Sequence, residues 1–323
     1  MYGLRAQIDG DWPEVVSDIA KDFAWFTETT ASSAAVHARV TVERRVPDFD
    51  RFAGLKSAFV TPRNVVYHDA GTRVVDYFGR ALSILDRRQG HATIQGEHPG
   101  LAHEAAYNFL LSRIGEHLDS RRLVRLHALG LSGPLGAVAI MLPSGGGKTT
   151  LALRALQDPG CRLLSEDSPL IDRHGLVHPF PLRIGVAASL PQANVRLLDR
   201  LEFHPKLALD LDAFKERVEP NAQPLRHLVI GRRTLGRKAR LELISRRGAV
   251  GPLLREAVIG LGIYQGMEFV LQHGMRDVVG KLGILATRST CPASVLSHAR
   301  IWRLELGRDP DDNWAQVQRL LET

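Results

Sequence analysis

A run of three glycines followed by a lysine and two threonines is the feature that most constrains this chain. Residues 142–149 read LPSGGGKT, which we compare with the pattern GxxxxGK[ST] of phosphate-binding loops. Gly147, Lys148 and Thr149 match the end of the pattern, whereas Leu142 stands where its first glycine belongs. The apolar segment GAVAIML precedes the run and the helix-like segment KTTLALRAL follows it. This order of strand, loop and helix predicts a phosphate-binding loop in an α/β domain.

Each residue type in this loop suits the binding of a nucleoside triphosphate. Glycines permit positive φ angles, so that consecutive backbone N–H groups can face one anion. Lys148 would reach the outer phosphates, the Thr149 hydroxyl would bind Mg²⁺, and the following helix would direct its positive end at the same place. We therefore expect ATP and Mg²⁺ as cofactors; the alternative is a flexible polar turn before an ordinary helix. The expected nucleotide-binding residues are Ser144, Gly145, Gly146, Gly147, Lys148, Thr149 and Thr150.

A pair of acids, Glu166 and Asp167, follows the apolar run that ends at Leu164. Phosphoryl transfer needs carboxylates that complete the metal site and handle the proton of the acceptor. We expect the apolar run to form a strand beside the strand of the phosphate-binding loop, with the acids at the edge of the sheet where ligands bind. The alternative is a turn or a helix cap before Pro169.

The rest of the chain divides into two regions. A length of 323 residues suits two domains. Residues 36–96 show short β-type runs separated by turns such as 68–71, which is typical of an antiparallel sheet. Helical spacing follows over 101–118 and precedes the sheet over 12–26. We therefore predict a smaller α+β domain with an antiparallel sheet over 1–119 and a catalytic domain over 120–323.

Composition excludes several classes of protein. The formal charge of +7 favours an anionic ligand, but nucleic acid is not expected, because aromatic residues make up 6% of the chain and no recognition module appears. Basic residues crowd 232–247, which is usually a solvated face and alternatively a phosphate-binding or partner-binding surface. Cys161 and Cys291 form no disulfide or zinc pattern. Without a signal peptide or an apolar run long enough to span a bilayer, we expect a cytoplasmic protein with no membrane partner.

Three segments resemble the HPr kinase/phosphorylase family, whose catalytic domain is a P-loop fold related to phosphoenolpyruvate carboxykinase. They are LHA over 126–128, SGGGKT over 144–149, and RLLSED over 162–167, where Glu166 replaces the first of the family's two adjacent aspartates. The first 120 residues do not resemble the regulatory domain of the standard enzyme. The chain is more similar to the divergent HPr-kinase-like proteins of peptide-modification systems, including those that phosphorylate the C-terminal serine of lasso-peptide precursors.

This resemblance implies roles for residues of the site. His127 would lie near the transferred phosphate, and the two acids would serve as metal ligand and as the base for the acceptor hydroxyl. We expect Thr149 and Asp167 as metal ligands, although the longer side chain of Glu166 leaves open which acid has which role. Arg183 would stabilise transition-state charge. Alternatively, His127 is an ordinary strand histidine and Arg183 a surface arginine. The expected catalytic residues are His127, Lys148, Glu166, Asp167 and Arg183.

The expected function is ATP-dependent transfer of the γ-phosphate to a Ser or Thr hydroxyl of a peptide or small protein, such as a ribosomal peptide precursor. The domain over 1–119 would recognise the peptide, for example through an exposed sheet edge. Two alternatives are a kinase for a small-molecule hydroxyl and a nucleotide-dependent switch or ATPase with no phosphate acceptor. Oligomeric state stays open, although the family resemblance makes a homo-oligomer an expected form.

Overall fold

The computed structural model describes residues 1–28, 35–61, 63–143, 145–186, 195–198, 206–254 and 295–323. The strands are β1 (Ala6–Gly10), β2 (Ala38–Arg44), β3 (Ser57–Val60), β4 (Val65–Asp69), β5 (Thr72–Asp76), β6 (Ala81–Asp86), β7 (His91–Gly96), β8 (Val124–Arg125), β9 (Leu129–Gly133), β10 (Gly136–Met141), β11 (Arg162–Ser165), β12 (Leu170–Ile171), β13 (Leu176–His178), β14 (Ile184–Val186), β15 (Val195–Leu198), β16 (Lys206–Leu209), β17 (Gln223–Arg233), β18 (Arg240–Leu243) and β19 (Arg300–Leu306). The helices are α1 (Pro13–Asp22), α2 (Pro99–Ser120), α3 (Lys148–Gln157), α4 (Arg246–Leu254) and α5 (Pro310–Glu322).

These elements form a mixed α/β structure, which confirms the α/β class. The chain divides into two compact units. Unit 1 comprises Met1–His117 and Gly185–Asp210, and unit 2 comprises Leu118–Ile184 and Leu211–Thr323. No helix of the described residues has the length and apolar composition needed to cross a membrane.

Unit 1 contains a seven-stranded sheet in the order β1-β2-β7-β6-β5-β4-β3. The strands from β3 to β7 pair antiparallel, as expected, but β1 pairs parallel with β2, and β2 parallel with β7. The prediction of a purely antiparallel sheet is therefore wrong for this edge. The crossover through α1 returns the chain in its original direction and so makes β1 and β2 parallel. β2 and β7 are also parallel, and β3 to β6 separate them in the sequence. Val15 and Ile19 on α1 are buried, as the helical spacing over 12–26 indicated.

An ionic cluster around the buried Asp22 ties the later segment into unit 1. Its other members are Asp18, His103, Arg196 and Asp210. The side chain of Asp22 is fully buried, and its carboxylate contacts Arg196 on β15 and lies 2.7 Å from His103 Nε2 on α2. Arg196 also lies 3.1 Å from Asp210 and 3.5 Å from Asp18. A buried carboxylate without a partner would be strongly destabilising. Gly185–Asp210 thus groups with unit 1, whereas the sequence analysis placed it in the domain over 120–323.

Unit 2 is built on a nine-stranded sheet. Its order is β11-β9-β10-β17-β13-β12-β8, with β19 paired to both β17 and β18. β10, β17 and β19 run parallel to one another, so their carboxyl ends lie at the same edge. β17 is 11 residues long and extends past β10 at both ends. Its first two residues pair with β13, and residues 227–233 pair with β19.

The strand that carries the acids differs in position from the prediction. β11 pairs with β9 and not with β10, because the hairpin of β9 and β10 places β9 between them. Gly136, with φ +136°, supports the tight turn of that hairpin. Apolar side chains of β10, β17 and β19 pack with α4 into one buried cluster that includes Met141, Leu228 and Ile301. Most of the apolar segments that the sequence shows near 252–272 lie outside the described residues.

Candidate nucleotide-binding site

The glycine-rich loop connects the end of β10 to the start of α3. Gly145 and Gly147 have φ angles of +73° and +110°, in the left-handed region that favours glycine. A Cβ atom on Gly146 would lie 2.7 Å from the carbonyl oxygen of Pro143, whose carbonyl accepts a 2.8 Å hydrogen bond from Gly146 N. The glycines are therefore required by the shape of the loop. Ser144 lies outside the described residues.

Lys148 is the first residue of α3, and its ammonium group is held inside the site. Nζ donates a 2.9 Å hydrogen bond to the carbonyl oxygen of Leu142, lies 2.7 Å from His127 Nε2 and lies 3.4 Å from Asp167 Oδ1. Only 8% of its side chain is exposed. The arrangement places a positive charge at the N-terminal end of a helix, where anions are already favoured.

His127 lies in the short connection between β8 and β9, and its Nε2 atom faces two groups. Nε2 is 2.7 Å from Lys148 Nζ and 3.1 Å from Asp167 Oδ1. A neutral imidazole nitrogen either accepts or donates, so Nε2 can accept from the ammonium or donate to the carboxylate, but not both. The contact with Lys148 therefore favours the tautomer with hydrogen on Nδ1, which leaves Asp167 paired with the lysine.

Thr149 and Glu166 form the second contact between the loop and the acids. The Thr149 hydroxyl donates a 2.5 Å hydrogen bond to Glu166 Oε1. This bond joins the first turn of α3 to the residue that follows β11. Both groups are oxygen donors, and hydroxyl and carboxylate oxygens are ligands that Mg²⁺ prefers.

The fold brings these side chains together from three places in unit 2. The first is the connection before β9, the second is the start of α3, and the third is the end of β11. The chain after the acids is fixed by Ser168 N, which donates to Ser165 Oγ over 3.0 Å, and by Leu126 N, which donates to the Pro169 carbonyl over 3.0 Å. The second bond holds the segment with the acids against the segment with His127.

Five of the predicted site residues take part in these contacts, namely His127, Lys148, Thr149, Glu166 and Asp167. Thr150 is exposed on α3, and Arg183 is partly buried directly before β14; neither takes part in the contacts just described. The pairing inside the site also differs from the expectation for the metal ligands. Glu166, and not Asp167, is the acid beside Thr149.

Leu142 has a role that the sequence analysis missed, because it was treated only as a mismatch to the glycine of the motif. Its carbonyl oxygen accepts from Lys148, and its side chain is 2% exposed. A Cβ atom on Gly231 of β17 would lie 2.5 Å from Leu142 Cδ2. Gly231 on the neighbouring strand thus leaves room for the leucine side chain. The sequence contains this glycine, but its contact with Leu142 depends on strand pairing.

The residues fit a Mg²⁺-bound triphosphate. The left-handed glycines, the helix N-terminus and Lys148 would face the phosphates, and Thr149 and Glu166 would offer oxygen atoms to the metal. Within the described part of the chain, no group of three or more His, Cys, Asp or Glu side chains could hold a metal ion. A Mg²⁺ site of this kind does not need one, since substrate phosphates and water complete the coordination.

No protein-family model matches this sequence. The resemblance to the HPr kinase/phosphorylase family therefore stays a prediction that rests on the three segments that carry it.

Proposed function

We propose that this protein is an ATP-dependent phosphotransferase of the HPr-kinase-like type, which transfers the γ-phosphate to a Ser or Thr hydroxyl of a peptide or small protein. The observation that carries the proposal is the position of Lys148. It lies at the start of α3, directly after the left-handed Gly147, and its ammonium contacts both His127 and Asp167. A phosphate-binding lysine beside a carboxylate and an imidazole is suited to transfer and not only to binding.

Nucleotide binding in this proposal uses the loop and the first turn of α3. Backbone N–H groups of the loop and the ammonium of Lys148 bind the phosphates, and Thr149 and Glu166 hold the metal ion. Mg²⁺ supplies charge neutralisation at the phosphate oxygens when it is bound. Binding requires Lys148 to exchange part of its contact with Asp167 for contact with phosphate.

The two acids receive different roles in this proposal. Glu166 contacts Thr149, so we assign it to the metal site. Asp167 lies with His127 and Lys148, so we assign it as the base. This assignment replaces the expectation that Asp167 is the metal ligand. A carboxylate oxygen of Asp167 accepts the proton of the acceptor hydroxyl while the hydroxyl oxygen bonds to the γ-phosphorus. The bond between the γ-phosphorus and the oxygen that bridges it to the β-phosphorus breaks, and ADP leaves.

His127 has a positioning role in this scheme. Its Nε2 atom holds the ammonium of Lys148 at the start of α3. When the ammonium moves to the phosphates, the imidazole can exchange its hydrogen from Nδ1 to Nε2 through solvent. Nε2 can then donate to Asp167, 3.1 Å away, and orient the carboxylate toward the acceptor. Positioning and charge account for most of catalysis in phosphoryl transfer.

Intact-mass spectrometry tests the proposal. The full chain is incubated with Mg²⁺, ATP and the candidate peptides encoded beside its gene, and each peptide is weighed before and after. We expect a gain of one phosphate on an acceptor peptide, lost in Lys148→Ala and kept in Lys215→Ala, a control at an exposed lysine. Consumption of ATP with no gain of mass on any peptide would favour a small-molecule kinase or an ATPase switch. A Lys148→Ala protein with full activity would contradict the nucleotide site itself.

A further inference from the structure

An exposed basic surface, which we call the arginine edge, lies in unit 2 over residues 226–247 and 300–308. These segments contain 11 basic residues and only 2 acidic ones, whereas the whole chain has 42 and 35. All 11 basic side chains belong to exposed residues. They are Arg226, Arg232, Arg233, Arg237, Lys238, Arg240, Arg246, Arg247, Arg300, Arg303 and Arg308. The arginine edge therefore carries more positive charge than the chain as a whole.

Strand pairing gathers three of these arginines on one face of the sheet. Glu305 of β19 pairs with Arg232 of β17 on one side and with Arg240 of β18 on the other. Arg303 lies two residues before Glu305 on the same strand and so points to the same face. The hydrogen bond from Arg232 holds the pKa of Glu305 below its usual range, and the charges of Arg232, Arg240 and Arg303 lower it further. One carboxylate is thus surrounded by three guanidinium groups.

Three aspartates, Asp309, Asp311 and Asp312, directly follow the arginine edge in the sequence. Asp309 caps α5 by accepting from Asp311 N and Asp312 N. Asp311 pairs with Arg154 over 2.7 Å, and Asp312 accepts from Ala239 N over 2.6 Å. These carboxylates keep their negative charge, but even when all three are counted with the arginine edge, 11 basic residues stand against 5 acidic ones.

The arginine edge begins beside the glycine-rich loop. Met141, the last residue of β10, pairs with Ile230, two residues before Arg232. A Cβ atom on Gly147 would lie 3.6 Å from Leu306 Cδ1, and Leu306 pairs with Arg233. Leu306 and Glu305 are neighbours on β19 and so point to opposite faces of the sheet. Arg233 therefore shares the face of the loop contact, and Arg232 lies on the other face at the same carboxyl end of β17.

We propose that the arginine edge binds an acidic segment of the polypeptide that accepts the phosphate, next to its acceptor residue. This inference rests on the proposed function, since it names the recognition surface for the same transfer. Carboxylates of Asp and Glu match the guanidinium groups in charge and geometry. A polypeptide that reaches the glycine-rich loop around the carboxyl ends of β17 and β19 would pass Arg232, Arg240 and Arg303 on the other face of the sheet.

An acidic polypeptide fits this surface better than nucleic acid does. Proteins that bind single-stranded nucleic acid combine basic side chains with aromatic rings on which bases stack. Trp302 is the only Phe, Tyr or Trp in the two segments, and its indole N–H donates to His227 Nδ1 over 2.9 Å from a partly buried position. The arginine edge therefore offers charge without a stacking platform.

The test measures binding of labelled synthetic peptides to the full chain by fluorescence anisotropy. One peptide contains a single serine flanked by Asp and Glu, and the other has the same length with Lys at those positions. We compare the wild type with Arg232→Glu/Arg240→Glu/Arg303→Glu, and with the matched control Arg121→Glu/Arg173→Glu/Arg319→Glu at exposed arginines of unit 2 outside the arginine edge. Because Arg232 contacts Glu305, a second variant, Arg237→Glu/Lys238→Glu, changes only the turn before β18 in case the triple variant fails to fold.

We expect the acidic peptide to bind the wild type at least about tenfold more tightly than the basic peptide. This preference should fall by about tenfold in the edge variants and should not change in the control. The affinity should also decrease when salt is raised from about 0.05 M to about 0.5 M, because exposed charges are screened. Equal binding of both peptides, equal losses in the control, or tighter binding of an oligonucleotide or of anionic lipid vesicles would overturn the inference.

A parallel measurement of ATP binding separates this inference from the proposed function. If the edge variants lose the acidic peptide but bind ATP as the wild type does, both proposals stand. If the wild type binds ATP but shows no preference for acidic peptide, the arginine edge is not the recognition surface and the kinase proposal is unaffected. If the preference is found but ATP does not bind, the proposed function fails while the surface remains.

Discussion

Lys148 Nζ lies 2.7 Å from His127 Nε2, and this contact joins the first residue of α3 to the connection before β9. Asp167 completes the group at 3.4 Å from the same ammonium. A bound triphosphate would compete for this charge, because an ammonium has three donors and the carbonyl of Leu142 already takes one. The lysine proposed to bind phosphate and the proposed base are therefore coupled through direct contact.

Because Glu166 and Asp167 contact different groups, we predict that their substitution changes different kinetic quantities. Asp167→Asn should lower kcat by about 100-fold or more while ATP affinity changes little, since it removes the base. Glu166→Gln should instead raise the Mg²⁺ concentration needed for half-maximal rate, since it weakens the metal site. Initial rates over a Mg²⁺ series, with fluorescent ATP-analogue binding, distinguish the two. The opposite pattern of defects would show that the acids have the roles first expected from the sequence.

We predict that a side chain at Gly147 weakens ATP binding by distorting the loop. Its φ of +110° is unfavourable for any residue with a side chain, so Gly147→Ala should distort the loop and weaken ATP binding by about tenfold. Gly160→Ala, at a glycine without positive φ in the turn after α3, is the matched control. Calorimetric titration with ATP measures both. Unchanged affinity in Gly147→Ala would mean that the loop does not bind nucleotide in this conformation.

Gly231 and Leu142 predict a coupled effect on stability. Gly231→Ala introduces a Cβ atom 2.5 Å from Leu142 Cδ2 and should reduce the free energy of unfolding by about 1–3 kcal/mol. Gly248→Ala, in α4 with no atom closer than 3.9 Å, should be neutral or stabilising by about 0.5–1 kcal/mol.

The double variant Gly231→Ala/Leu142→Ala is the informative comparison for this pair. Leu142→Ala alone should reduce the free energy of unfolding by about 2–4 kcal/mol, because a buried side chain is removed. The double variant should lose less than the sum, since the methyl group added on β17 occupies part of the space that the leucine vacates. Urea unfolding of the wild type, the two single variants and the double variant measures the coupling, and strictly additive losses would contradict the contact.

His103 predicts a pH dependence of stability. The pKa of His103 is lowered from 6.5 to about 4, chiefly by burial and also by the charge of Arg196, against the opposing charges of Asp18, Glu104 and Asp210. The unfolded chain therefore takes up this proton first as pH falls. Stability should be highest above pH 6.5 and fall between pH 6.5 and about 4, by up to about 3 kcal/mol.

Thermal unfolding of the wild type and of His103→Gln across this pH range measures the contribution of the histidine. Glutamine keeps a donor for Asp22 but does not titrate, so the variant should show the weaker dependence on pH. His174→Gln, at an exposed histidine, is the control and should follow the wild type. Equal pH dependence in all three proteins would assign the effect to the carboxylates instead.

Local patterns predicted much of the fold. The helical spacing over 101–118 appears as α2 (Pro99–Ser120), and the segment after the glycines appears as α3. Such elements follow from the periodicity of nearby residues. The parallel pairing of β1 with β2 and the position of β9 between β10 and β11 were missed, because strand order depends on contacts between distant parts of the chain.

The site was predictable as a set of residues but not as a set of contacts. The motif and the strand ending in two acids identified Lys148, Thr149, Glu166 and Asp167. Which acid faces Thr149 depends on the direction of each side chain at the end of β11, and no spacing in the sequence specifies it. The burial of Leu142 against a glycine on β17 likewise depends on the pairing of β10 with a strand that is distant in the sequence.

The assignment of Gly185–Asp210 to unit 1 has a consequence for how this protein is made. Arg196, the partner of the buried Asp22, is synthesised 174 residues after it. While the chain is being translated, α1 therefore carries a carboxylate whose guanidinium does not yet exist. Unit 1 can complete its ionic cluster only after residues 118–184 of unit 2 have been synthesised, so it cannot finish folding as a purely N-terminal segment.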